Sequence, residues 1–569
     1  MNRAVSGERI LYWAGIVVVA WAGFSFVLMP LVSALKIALL HDGSLSLYAP
    51  LADLAASRRV RDAFSNTVWM TLASMVTVTI VGVFQVAVLE YFKLRGRTFL
   101  KIAYATPLVF GGVVACAGYN FAYGPAGVVT TAIRWFAPSI RSDWFIGGFG
   151  VLFAHSFLLT GFYFLFLRAA MRRVDYATIE AARSMGASET IIFRRVVLPA
   201  LRPTLLAVSL LTLHTALGSF AAPQVLGGRD FHMLSQMVLT LNSLRRSDLA
   251  ALLALGMGAV LMLLILFAQH LEARGNYSAG TKSISPIMLK EIRNRMANTA
   301  IHVAAYLMAL LYLLPVVLVV LFSFAPASDI GVEVFPSALT LKNYIRVFSG
   351  GSAVEPFLNS ATMGAVSVGA ALALTFFAIP VILRKQNWLT RLLDAGFFLP
   401  WVVPGILLAV GLITVFDHPN LLVGNAVLLG SYWLLPIGYA VILLPMTSRF
   451  LRASFVGIDP AYEEAARAMG ASALYRFRRI IFPLIAPTAI LVAGMGFNDL
   501  MAEYPLSAFL YNVNNKPLPI AIVDGAVSAD PEQAAINLVY VTLITAFSLA
   551  VILFAERMSL GKEPQTNKL

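Results

Sequence analysis

Long apolar runs recur along the whole 569-residue chain. A run of about 20 such residues is what an α-helix needs to cross the hydrocarbon of a bilayer. In the first half they fall near 11–40, 65–92, 99–123, 145–171, 203–222 and 248–271. In the second they fall near 298–325, 358–384, 390–417, 425–450, 484–502 and 536–556. No water is available there to backbone amides and carbonyls, so each run must satisfy its own hydrogen bonds as a helix. Only 12% of residues are charged and 59% are hydrophobic, which excludes a soluble globular domain. The reading is an all-α polytopic membrane protein with about 12 transmembrane helices.

The charge pattern orients the chain. A net charge of +14 could point to nucleic acid, but the basic residues form no patch interleaved with aromatics. They fall mainly in alternate loops, as the positive-inside rule requires. One set of loops carries Lys93, Arg95, Arg97 and Lys101, then Arg168, Arg172, Arg173, Arg183, Arg194, Arg195 and Arg202. The opposite loops of the second half hold only Lys342, Arg346 and Lys516. Both termini are therefore expected in the cytoplasm. Arg3 and Arg9 precede the first run without a convincing cleavage site, so that run reads as a first span and not a removed signal peptide. The single cysteine, Cys116, lies within an apolar run, excludes a disulfide framework and reads as a small core residue.

The chain also repeats itself. "EAARSMGASETIIFRRVVLP" begins at Glu180 and "EAARAMGASALYRFRRIIFP" begins 284 residues later at Glu464. "FSNTVWMTLASM" around Asn66 resembles "FLNSATMGAVSV" around Asn359, and "TPLVFGG" at Pro107 resembles "LPWVVPG" at Pro400, both at an offset of 293. The first half thus holds nine extra residues between its third span and its charged segment. The obvious place is the outside loop "GPAGVVTTAIRWFAPSIRSDW". Repeats with the same span parity are parallel, related by an axis along the membrane normal. The expected organisation is a first repeat over 1–275 with its charged segment at 175–199, a polar linker over 276–297, and a second repeat over 298–569 with its segment at 459–483.

Each charged segment reads as helix, turn, helix. Asp175 and Asp459, five residues before the Glu, are suitable N-caps. Ala181–Ala182 and Ala465–Ala466 favour helix and offer a thin face to a partner. Gly186 and Gly470 permit the positive φ that ends a short helix abruptly. The next helix carries Arg194–Arg195 or Arg478–Arg479 and is expected to stop at Pro199 or Pro483. A lone copy could lie at the lipid interface. Two copies at matched spacing on one side of a duplicated bundle point to a two-fold symmetric partner beneath it.

These segments resemble the EAA loop of the membrane subunits of ATP-binding-cassette importers, and the likeness extends over nearly the whole chain. Phe482, where Leu is usual, is the one departure from the motif. The resemblance implies a type I importer permease in fused, double form, with two parallel six-span repeats in a bacterial inner membrane. It implies that Glu180, Ala181, Ala182 and Gly186, with Glu464, Ala465, Ala466 and Gly470, face two copies of a cytoplasmic ATPase. A periplasmic solute-binding protein would deliver the solute, with lipid around the bundle. The chain has no G-x-x-x-x-G-K-[ST] phosphate loop. It is therefore expected to be no enzyme and to hold no cofactor, with ATP and Mg bound by the ATPase subunits.

In that family the fifth span of each half lines the path. Candidates for gate or pathway are Ser219 and Gln224 in the first half, and Asn498, Asp499, Glu503 and Tyr504 in "GFNDLMAEYPLSAFLY" of the second. The outline resembles the ferric-iron, 2-aminoethylphosphonate and polyamine branch. His155 and His302 read as satisfied core histidines rather than metal ligands, and "YNFAYGPAG" near Asn120 as an outside turn open to the binding protein. The competing reading is an ion-coupled secondary transporter of major-facilitator type. It shares two parallel six-span halves but has no reason to repeat a docking motif. No H-E-x-x-H or nucleophile constellation supports a membrane enzyme.

Overall fold

The computed structural model describes residues 13, 15–41, 44–45, 48–274, 289–292, 294–384 and 387–560. Arg3, Arg9, linker residues 276–288 and 293, and residues 561–569 lie outside the described residues. Among the described residues the regular structure is helical apart from a two-residue pairing of Leu40–His41 with Ser44–Leu45 and two isolated bridges. Among the described residues, ten helices are long and apolar enough to cross a membrane. Two bent helix pairs raise that number to as many as 12.

In the first half the helices that matter are α1 (Gly15–Leu39), α2 (Arg58–Glu90), α3 (Arg97–Val109), α4 (Gly112–Tyr123), α5 (Gly148–Met171), α6 (Tyr176–Ser184), α7 (Phe193–Leu217), α8 (Ala221–Leu226), α9 (Leu234–Ser243) and α10 (Ser247–Arg274). The second half repeats the series as α11 (Arg295–Ser323), α12 (Glu355–Arg384), α13 (Trp388–Trp401), α14 (Gly405–Phe416), α15 (Leu434–Val456), α16 (Pro460–Ala468), α17 (Leu474–Met501), α18 (Pro505–Leu510), α19 (Leu518–Val527) and α20 (Pro531–Leu560). Each helix therefore has its counterpart ten labels later.

The two bent pairs are the third spans, and the breaks fall on the repeated "TPLVFGG" and "LPWVVPG". Arg97–Val109 meets Gly112–Phe136 at 116°, and Trp388–Trp401 meets Gly405–Phe416 at 110°. Gly112, at φ +58°, and Pro404 open the second limbs, and residues of these types are where a helix can turn sharply. The nine extra residues of the first half take the form of a nine-residue helix, Val128–Phe136, in the predicted loop. A three-residue turn, Leu421–Val423, stands in the corresponding place of the second half.

Two expectations are corrected. The helix bearing the paired arginines does not stop at Pro199 or Pro483 but continues through it. The fifth spans, expected at 203–222 and 484–502, therefore begin at Phe193 and Leu474. A widened turn absorbs each proline: residues Phe193–Val197 and Phe477–Ile481 are π-helical, with Leu198 N–H bonding to Phe193 O and Phe482 N–H to Phe477 O. That widening moves the preceding carbonyl away from the ring, which would clash in a regular helix. The second correction concerns Asn120. It lies within α4, not in an outside turn, and its Nδ2 donates to Ala526 O of the other half at 2.6 Å.

The halves interlock. α1 packs on α14 and on its own α10, while α11 packs on α3 and α4 and on its own α20. α4 also meets α19 and α20, so the limbs beyond the breaks form the seam between the halves. Side chains fasten it: Tyr104 Oη donates to Ala305 O at 2.9 Å, Thr160 Oγ1 and Tyr312 Oη lie 2.6 Å apart, and Trp21 Nε1 donates to Leu422 O at 3.0 Å. Within each half, Asn66 and Asn359 perform one job, donating to His232 O at 3.1 Å and Lys516 O at 3.2 Å. The next residues, Thr67 and Ser360, accept the first amides of α9 and α19, from Leu234 N at 2.8 Å and Leu518 N at 2.7 Å. The repeated Asn-Thr and Asn-Ser thus latch the segment after the fifth span onto the second span.

The seam generates a test. A Cβ on Gly411 would sit 2.2 Å from the carbonyl oxygen of Pro30, whereas one on Gly369 meets nothing within 4 Å. Gly411→Ala should destabilise the purified protein by about 1–3 kcal/mol, read as a lowered Tm in detergent. Gly369→Ala should leave Tm unchanged or raise it.

Candidate coupling segments and translocation path

The two charged segments fold alike in atomic detail. Asp175 Oδ1 accepts from Ala177 N at 3.0 Å, and Asp459 Oδ1 accepts from Ala461 N at 2.9 Å, capping α6 and α16. At the other end Gly186 and Gly470 both stand at φ +79°. Gly186 N and Ala187 N donate to Arg183 O and Ala182 O at 3.0 and 3.1 Å. Gly470 N and Ala471 N donate to Arg467 O and Ala466 O, each at 3.0 Å. This pattern satisfies the carbonyls that a helix end leaves unpaired, and it requires the left-handed residue.

The placement divides the predicted docking residues. Glu180, Ala181, Gly186, Glu464, Ala465 and Gly470 are exposed. Ala182 is 9% exposed and Ala466 2% exposed, so the second alanine of each pair faces its own bundle and not a partner. On a helix, adjacent residues point about 100° apart, and one of the two must anchor the element. The residues that sequence reading passed over are Met185 and Met469, which close the helices and are 82% and 81% exposed. Their signal was the position before each Gly, where an apolar residue on an otherwise polar helix has no core to enter.

The ends of the spans nearest the charged segments are tied by ion pairs, and in the first half the acid is buried. Glu90, on the last turn of α2, pairs with Arg168, with Arg172 at 3.0 Å and with Arg97 at 3.0 Å. In the second half the counterpart of Arg168 is Arg452, and it pairs with Asp394 of α13 at 3.0 Å. The arginine keeps its place while the acid moves from the second span to the third. Arg97, Arg168 and Arg172 read from sequence only as positive-inside charge. An acid within the apolar run 65–92 was the available signal of their partner.

At the far ends of α7 and α17 lie the pathway candidates, and most are held by internal bonds. Ser219 Oγ bonds His155 Nε2 at 2.8 Å, and His155 Nδ1 bonds Ser74 Oγ at 2.8 Å, so this buried histidine is satisfied. Gln224 Oε1 accepts from Gln236 at 3.1 Å, and Asn498 Oδ1 accepts from Ser548 Oγ at 2.5 Å. The Glu503 carboxylate caps α18, accepting from Leu506 N at 3.0 Å and Ser507 N at 3.2 Å. Asp499 is exposed on α17 and pairs with no cation among the described residues. Tyr504 packs at a 40° tilt against Phe220, its counterpart 284 residues earlier, with ring centroids 5.4 Å apart and both residues buried. The matching positions of the two repeats therefore meet each other, which places this contact at the pseudo-two-fold axis. Phe220 was not singled out from sequence, because a phenylalanine in an apolar stretch carries no local signal.

Two interlocked repeats of five to six spans, each with an exposed helix-and-turn segment leading into its fifth span, are the architecture of a membrane transport subunit. The chain belongs to the family described as binding-protein-dependent transport system inner membrane component, which matches residues 12–276 and 365–559. It is 66% identical over 569 residues, all of both chains, to a probable ABC transporter permease protein of Sinorhizobium fredii. It is 23% identical over 501 residues to an Fe(3+)-transport system permease protein of Haemophilus influenzae, covering 87% of this chain and 88% of that one. A putative 2-aminoethylphosphonate transport system permease protein of Salmonella paratyphi A is 25% identical over 258 residues, 43% of this chain and 91% of that one. The protein is thus a multi-pass ABC importer permease in fused double form, not an enzyme, and works with an ATPase and a binding protein. Family membership replaces the major-facilitator alternative.

The left-handed turns carry a prediction. Gly186→Ala with Gly470→Ala places Cβ atoms where they cost about 1–2 kcal/mol each. Solute-stimulated ATP hydrolysis by the assembled transporter should fall, while the yield of permease in the membrane stays as in wild type.

Proposed function

We propose that this chain forms the whole translocation pathway of an importer whose two coupling segments receive two copies of a cytoplasmic ATPase. The observation that carries the reading is continuity. Each charged segment leads into a helix, α7 or α17, and Phe220 or Tyr504 of the axial contact lies three residues beyond the opposite end of that helix. A rigid helix transmits displacement along its length, so motion of α6 and α16 moves the residues that close the axis. ATP and Mg bind the ATPase subunits. Their closure draws the two segments together, the halves rock and the Phe220–Tyr504 contact opens. A periplasmic binding protein then delivers the solute, and hydrolysis resets the path. Both termini, the linker and both segments face the cytoplasm, in accord with the excess of Lys and Arg on that side. The repeats run over 1–275 and 298–569, joined by the linker 276–297.

For the solute we favour a small cation of the ferric-iron type over 2-aminoethylphosphonate or a polyamine. Asp499 favours a cation over the phosphonate. An exposed carboxylate on a spanning helix would be costly against lipid, so it faces the aqueous path, where it attracts positive charge. The iron-transport relative also matches this chain over nearly its full length.

Two outcomes test the reading. Charge reversal with Glu180→Arg and Glu464→Arg should abolish co-purification of the ATPase while the permease still inserts. In proteoliposomes holding the complete transporter, Asp499→Asn should lower uptake of ferric iron by about tenfold or more and leave basal ATP hydrolysis intact. Uptake driven by an ion gradient without ATP would overturn the importer mechanism. Unchanged iron uptake in Asp499→Asn would overturn the cation assignment.

A further inference from the structure

The two coupling segments are matched on their exposed sides and differ underneath. In the first, Ile179 of α6 and Ile192, just before α7, are 1% and 0% exposed and belong to one buried apolar cluster. The residues 284 positions later are Glu463 and Arg476. Arg476 is 3% exposed, its Nε lies 3.6 Å from Glu463 Oε1, and its Nη1 donates to Ala471 O at 2.7 Å. Glu463 also faces Arg467 of its own helix at 3.6 Å. An ion pair therefore occupies the place that a pair of isoleucines fills in the other half. Ala471 is the residue after the left-handed Gly470, so Arg476 grips both the helix α16 and the turn that ends it.

We infer that Glu463 and Arg476 are a positioning pair, which sets the angle of the docking helix α16 against the lever α17. The inference rests on the reading of these segments as ATPase couplings. An apolar pair holds by burial and tolerates small sliding, whereas an ion pair is directional, and loss of Glu463 takes the facing carboxylate from the buried Arg476 guanidinium. The two docking segments thus meet the ATPase with equal exposed turns and unequal anchors. The second depends on charge and the first does not. Arg476 is buried and Glu463 is half-buried beneath the exposed Glu464, Ala465 and Gly470, so both act through the element they hold.

The test uses the complete transporter in proteoliposomes. Glu463→Gln and Arg476→Leu, made singly, should each raise the ATP consumed per solute imported by about tenfold, with the ATPase still bound. The double variant Glu463→Ile with Arg476→Ile copies the anchor of the first half. It should return the ratio to within about twofold of wild type, because the two residues act as one unit. A merely structural role would lower yield and Tm without changing ATP consumed per solute, and without this rescue. If both single variants transport with wild-type stoichiometry, the inference is wrong. If the singles are uncoupled and a folded double variant is equally uncoupled, the pair does more than anchor and the inference is again wrong. Should Arg476→Leu fail to fold, Glu463→Gln and the double variant still decide the matter. Glu464→Arg separates this result from the coupling reading. Should it leave ATPase binding and uptake untouched, the coupling reading fails. Should it abolish binding while the single variants behave as wild type, only the positioning role fails.

Discussion

A helix broken inside a bilayer leaves amides and carbonyls that lipid cannot satisfy, and this constraint organises the molecule. Both third spans are broken, at 116° and 110°, and such a break is tolerable only where protein covers it. The cover comes from the other half. α11 lies over α3 and α4, and α1 lies over α14, so neither repeat completes its own core. The approach is close enough that Gly411 stands against the backbone of Pro30. Fusion of two repeats into one chain keeps both covers at high effective concentration.

Each half is also fastened internally at both ends of its spans. The ends of the spans nearest the charged segments are tied by ion pairs, buried Glu90 with three arginines in one half and part-exposed Asp394 with Arg452 in the other. The segments that follow the fifth spans are latched onto the second spans by Asn66 and Asn359 and by the hydroxyls beside them. Between these fastenings α7 and α17 run from beside the charged segments to within three residues of the Phe220–Tyr504 contact. The π-helical turns before Pro199 and Pro483 matter here, because a helix that stopped at the proline could not carry displacement across the membrane.

Much of this was legible in the chain itself. The spans, the duplication, the caps Asp175 and Asp459 and the turns at Gly186 and Gly470 follow from local rules, since a helix end is built from residues a few positions apart. Polar candidates on the fifth spans could be named but not ranked. Ser219, Gln224, Asn498 and Glu503 are bound to Ser, His and Gln side chains or to backbone amides within their own half. Nothing in the sequence of Glu503 distinguishes a carboxylate that caps the next helix from one that faces a solute. Tyr504 drew notice for its neighbours, while its partner Phe220 did not.

By itself the sequence determined the number and parity of the spans, the equivalence of the two halves and the chemistry of the docking turns. Hydropathy over about 20 residues and turn propensity over about five suffice for those. Only the tertiary structure decided that the first span of each half guards the break in the other. It alone decided that Ala182 and Ala466 face inward, that the fifth spans run through their prolines, and that Phe220 meets Tyr504. These features depend on contacts between residues tens to hundreds of positions apart. The free energy of such contacts lies in burial and geometry that no local stretch encodes.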